Sequence, residues 1–226
     1  MVNIHTKPIP NISQLWRDRW NHYRSNFKSY SFDEFKKLCD EARIAFPNVF
    51  YTIEPIFLFF DYLSQKETQL KVFELGGAEG YLAMDIFEKY IDVIDKWTNC
   101  EISDHSREHF VCTSLKYETI PLKEYWWDIE DYTSYFQDHN VFIATHVFEH
   151  FTREYIQQTL SKMKKISSLQ YICVEMPIQE DIEQYNWRDS HLLQNSWKQI
   201  TSDFINNGFI PIPILKQGEV RGFERV

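Results

Sequence analysis

Only six glycines occur in 226 residues, and three of them, Gly76, Gly77 and Gly80, fall in one five-residue window directly after Val72-Phe73-Glu74-Leu75. Glycine inside a helix or strand costs about 0.5–1 kcal/mol relative to alanine. Its concentration here therefore marks a turn in which the backbone must pass close to something or adopt a conformation closed to other residues. A strand at residues 70–75, the glycine turn and a helix at residues 81–90 with Leu82, Ile86 and Phe87 inward form one strand–turn–helix unit.

The texture of the chain changes near that unit. Residues 13–29 and 32–46 carry apolar and aromatic side chains at helical spacing, among them Leu15, Trp16, Trp20 and Tyr23, then Phe35, Leu38, Ala42 and Phe46. Ser31 and Glu34 spell a capping box, and Pro47 stops the second helix. Residues 1–68 are expected to form a helical appendage or lid, and residues 69–226 the main domain. In the latter, further strands are expected at 97–102, between 110 and 127, at 141–145 and at 169–176. Helices are expected at 149–166 and 191–207, and a closing hairpin at 209–225 around Gln217-Gly218. Alternating strands and helices imply an α/β fold, a doubly wound, mostly parallel sheet with an antiparallel edge.

Composition narrows the partners. The 33 acidic and 24 basic residues leave a net charge of −9, which repels phosphate backbones and argues against nucleic acid. The longest apolar run covers only residues 56–60, against the about 20 residues that a spanning helix needs, so no membrane association is expected. Cys39, Cys100, Cys112 and Cys173 form no C-x-x-C pair and read as buried thiols, consistent with a cytoplasmic setting.

Open α/β sheets bind ligands beyond the carboxyl ends of their strands. The loop Gly76-Gly77-Ala78-Glu79-Gly80 lacks the G-x-G-x-x-G dinucleotide fingerprint, and Tyr81 follows Gly80 where a P-loop needs lysine. At the end of the second expected strand stands Glu101, placed to accept both hydroxyls of a ribose.

With these residues the chain resembles the class I S-adenosylmethionine-dependent methyltransferases, in particular the small-molecule group with a V-x-E-H motif. The resemblance covers about residues 70 to 210. It implies a seven-stranded, Rossmann-like methyltransferase sheet, S-adenosyl-L-methionine as cofactor, and a small-molecule acceptor, with O-methylation of a sugar or sugar nucleotide as the leading expectation. Glu74, Gly76, Gly77, Ala78 and Gly80 correspond to the glycine-rich motif, Glu101 to the ribose-binding acid, and Asp128 and Ile129 to the pair that holds adenine. Thr145 ends the fourth strand beside the cofactor, and residues 189–209 resemble the late helix that closes in Gly-Phe. Two positions depart from the pattern: Ala78 replaces the usual middle glycine, and Asn140 replaces an aspartate before the fourth strand.

Two histidines are candidate catalytic bases: His146 at the end of the fourth strand and His191 at the start of the late helix. Glu149 and His150 are expected to open the intervening helix, where an acid favours the positive end of the dipole. His146 to His150 also spells H-x-x-E-H, a zinc-peptidase pattern. That reading requires His146 and His150 on one helical face, and a buried strand running into His146 removes the geometry. No metal ligands are assigned. The remaining alternative is a cofactor-binding partner protein without catalysis, which the Ala78 departure favours.

Overall fold

The structure, a computed structural model, describes residue 37 and residues 53–104, 114–123, 127–176, 197–215 and 219–226. The helix expected at 13–29 lies outside these residues, as do all but Lys37 of that expected at 32–46. His191, Cys39, Cys112 and Gln217-Gly218 also lie outside them.

Seven strands form one sheet in the order β3-β2-β1-β4-β5-β7-β6. They are β1 (Leu70–Leu75), β2 (Ile94–Glu101), β3 (Tyr117–Pro121), β4 (Val141–Thr145), β5 (Tyr171–Glu175), β6 (Phe209–Pro211) and β7 (Val220–Arg225). The first five are parallel, and β7 runs antiparallel to both β5 and β6. The expected doubly wound sheet with an antiparallel edge is therefore present. Strand order reverses between β1 and β4, which opens a crevice at their carboxyl ends.

Both faces are covered, which accounts for the near-continuous apolar composition of β4 and β5. On one face α1 (Ile53–Ser64) and α2 (Tyr81–Tyr90) pack against Val72, Trp97, Val141 and Ile143. Helix α1 buries Ile56, Phe59, Phe60 and Leu63 at helical spacing, so this apolar layer runs across residue 68. On the other face α3 (Thr133–Phe136), α4 (Arg153–Met163) and α5 (Trp197–Asn206) cover Phe73, Phe142 and Ile172.

Two boundaries differ from expectation for local reasons. Strand β2 starts at Ile94, because the charged pair Asp95-Lys96 that hides its beginning sits at the open, solvent-facing end of the strand. Glu149 and His150 do not open an α-helix. They sit in a 3-10 turn, Phe148–His150, followed by extended Phe151, and α4 begins only after Thr152, whose hydroxyl accepts the Tyr155 amide. Asn140 uses the amide that an aspartate lacks: Oδ1 accepts Lys71 N at 2.8 Å while Nδ2 donates to Gln69 O at 3.1 Å, tying β4 to the start of β1.

Candidate functional site

The glycine turn after β1 is folded down onto the end of β2. Ala78 has φ +48 and Gly80, which caps α2, φ +88. A Cβ on Gly80 would also lie 2.7 Å from the Tyr117 hydroxyl, so only glycine fits. The left-handed Ala78 is held on both sides. Its amide donates to Glu101 Oε2 at 2.8 Å, and its carbonyl accepts from Asn99 Nδ2 at 2.8 Å. Asn99 Oδ1 accepts the Gly77 amide, and its Nδ2 also donates to Tyr117. Glu101 Oε1 accepts the Ser103 amide at 2.7 Å. The acid expected to meet a ribose thus lies against the glycine turn, with each oxygen accepting one backbone amide.

Beneath the turn lies Glu74. A Cβ on Gly77 would come within 2.3 Å of its carboxyl carbon, which is why that position carries glycine. Trp97 Nε1 donates to Oε2 at 2.8 Å, and Oε1 makes no hydrogen bond. Burial, opposed by the Trp97 bond and reinforced by Glu101, pushes the carboxyl up to about 8.

Across the crevice stands the end of β4. Thr145 is half-buried and pairs in register with Glu175 on β5. The side chain of Val147 reaches the glycine turn, its Cγ2 lying 2.7 Å from where a Cβ on Gly76 would be. Between them, His146 has φ +54. Its Nδ1 lies 3.4 Å from Glu149 Oε1 and its Nε2 3.9 Å from Glu175 Oε2. Burial acts to lower the imidazole, but Glu149, then Glu175 and Glu219, outweigh it and push it up to about 9. A base with a limb near neutral pH does not match this environment. These carboxylates favour the protonated ring; Nε2, 3.9 Å from Glu175, makes no hydrogen bond. His146 also lies ahead of the 3-10 turn, so it does not share a helical face with His150.

The structure therefore brings together Glu74, Gly76, Gly77, Ala78, Gly80, Glu101, Thr145 and His146. Asp128 and Ile129 lie at the start of the 3-10 turn Ile129–Tyr132. Asp128 caps the 3-10 turn Ile129–Tyr132 through the Glu130 amide and pairs with Lys162 at 2.6 Å, which holds its carboxyl below the usual range. Ile129 is buried in the core beside Trp127. No described hydrogen bond links either to the turn. Sequence reasoning missed Asn99, Trp97 and Glu175. Of these, Glu175 carried a signal, being an acid that ends the apolar and fully buried strand β5.

No family model and no curated protein matches the chain. Among solved structures it is similar to the methyltransferase domain of bacterial CtHen1, with 14% identity, 75% of this chain and 96% of that chain covered, and a TM-score of 0.51. It is also similar to a candidate O-methyltransferase from Nostoc punctiforme, at 16% identity over 74% of this chain and 55% of that one, TM-score 0.50. A pericyclic reaction enzyme aligns at 11% identity over 71% of this chain and 44% of that one, TM-score 0.52. The chain spans about half the length of the last two. The fold is the Rossmann-like methyltransferase fold. That the same fold also serves a pericyclic reaction makes the argument for function rest on the site.

Proposed function

We propose that this chain binds S-adenosyl-L-methionine in the crevice between the glycine turn and the end of β4 and transfers its methyl group to a small-molecule acceptor. The observation that carries the reading is the bonding of Ala78 and Ser103 amides to Glu101 at 2.8 and 2.7 Å, which sets a buried acid at the end of β2, beside the strand-order reversal and next to the glycine-rich turn. An acid at that place suits a ribose, and the lack of the pyrophosphate fingerprint disfavours a dinucleotide.

Glu101 would accept the ribose hydroxyls. Gly76, Gly77 and Ala78 would let the cofactor's backbone-facing side approach, and Glu74 Oε1, which has no hydrogen-bond donor in the structure, would accept an ammonium or hydroxyl donor. The cofactor supplies an electrophilic methyl on a sulfonium. The protein aligns the acceptor with it and excludes water. With both His146 nitrogens toward carboxylates, alignment carries more of the reaction than proton removal. A hydroxyl of a sugar or sugar nucleotide is the proposed acceptor class, from the sequence resemblance. The same engaged histidine favours a second reading, a cofactor-binding partner protein that catalyses nothing.

Transfer of label from methyl-labelled cofactor to a panel of sugars, sugar nucleotides and phenols separates the two readings. Label in any acceptor supports catalysis. Tight cofactor binding without transfer across the panel favours the partner reading.

A further inference from the structure

His146 has φ +54, in the left-handed region, which non-glycine residues adopt uncommonly and asparagine, aspartate and histidine most often. Its ring lies between two carboxylates on different elements, Glu149 in the 3-10 turn at 3.4 Å and Glu175 at the end of β5 at 3.9 Å. Glu149 is 2% exposed and Glu175 not at all. Buried carboxylates this close to one site repel unless a cation stands between them. The backbone adds a further tie, since the His146 amide donates to the Glu175 carbonyl at 3.1 Å. The next residue, Val147, is the one whose side chain abuts Gly76. A continuous path of contacts therefore runs from β5 through His146 and Val147 to the glycine turn.

We propose that His146 is a positioning residue, a cationic clasp between Glu149 and Glu175 that holds the segment after β4 against the glycine turn and so fixes the width of the crevice. The effect on cofactor rests on the function proposed above, whereas the clasp itself does not. The groups that face the ring or its partners are Glu149 and His150 from the turn, Glu175 from β5 and Glu219 ahead of β7. Burial acts to raise Glu149, but His146 and His150 outweigh it and hold its carboxyl below the usual range. The imidazole is raised from 6.5 to about 9 in the folded chain. Its stabilisation is thus fully present below pH 6.5 and is lost as pH rises through about 9.

The test compares wild type, His146→Asn and His146→Asn/Glu149→Gln. Asparagine tolerates the left-handed backbone and carries no charge, so strain is not confounded with electrostatics. Thermal unfolding and S-adenosylhomocysteine affinity are followed from about pH 6 to about pH 10. Wild type should lose stability as pH rises from about 6.5 to about 9, and affinity as pH passes through about 9. The single variant should melt on the order of 5 °C lower at neutral pH, bind about tenfold more weakly, and lack the alkaline limb. The double variant, with one buried charge removed, should recover much of both. A single variant with wild-type stability and pH profile overturns the clasp, as does a double variant worse than the single one. If His146→Asn does not fold, an NMR titration of the wild-type imidazole decides: a midpoint near 9 supports the clasp, and one near 6.5 overturns it. Wild type that binds no S-adenosylhomocysteine refutes the cofactor reading, and its stability profile still decides the clasp.

Discussion

The amide of Ala78 donates to the Glu101 carboxylate over 2.8 Å, joining residues 23 apart in the chain. This bond fixes the left-handed turn after β1 to the end of β2 and defines where a ribose would sit. Each side of it yields a measurable consequence.

At Ala78 the backbone is strained, with φ +48. Ala78→Gly keeps both backbone bonds, because the amide and carbonyl remain, and relieves a cost of about 1 kcal/mol, partly offset by the greater freedom of glycine in the unfolded chain. Denaturant unfolding should show a variant equal to or slightly more stable than wild type. A loss of more than 1 kcal/mol means that the alanine methyl makes a packing contact that outweighs the strain.

Glu101→Ala removes the acceptor for two amides and for the proposed ribose. Cofactor affinity should fall by about 1.5–3 kcal/mol, the range for hydrogen bonds to a charged group. Because Ala78 N and Ser103 N also lose their partner, the melting temperature should fall as well. Glu101→Gln, which keeps one acceptor oxygen, should lie between. Unchanged affinity in both variants would remove Glu101 from the site.

Glu74 gives stability a pH dependence of definite sign. Its folded-state carboxyl is raised from 4.5 to about 8, so its contribution is fully present below pH 4.5 and lost as pH rises through about 8. Glu74→Gln keeps an oxygen for the Trp97 indole and cannot ionise. The variant should be more stable than wild type at pH 8, on the order of 2–4 kcal/mol, with the advantage vanishing near pH 4. Parallel stability curves across that range would show that Glu74 is not buried as described.

Much of the fold was legible from local signals that agree with one another. The apolar run Val141–Thr145 reads as a strand because it is one, covered on both faces, and the glycine cluster reads as a turn because Gly77 and Gly80 have no room for a side chain. Expectation failed where tertiary contacts override the local pattern. Helical spacing continues back from α4 to Glu149, but the burial of both Phe148 and Phe151 and the Thr152 cap break the helix there. Of the site, the glycine turn and Glu101 were visible as spacing along the chain. The engagement of His146 was not, because one of its carboxylates comes from β5, and only sheet register brings Glu175 beside Thr145. The bond between Asp128 and Lys162, 34 residues apart, is likewise one that no local pattern announces.

The central claim is the identity of the ligand in the crevice, and titration calorimetry tests it most directly. Wild-type protein is titrated in turn with S-adenosylmethionine, S-adenosylhomocysteine and NAD, and the Glu101→Ala variant with the first two. The account predicts one-to-one binding of both sulfur ligands, weakened in the variant, and no binding of NAD. Clear binding of NAD with no heat from either sulfur ligand would contradict it.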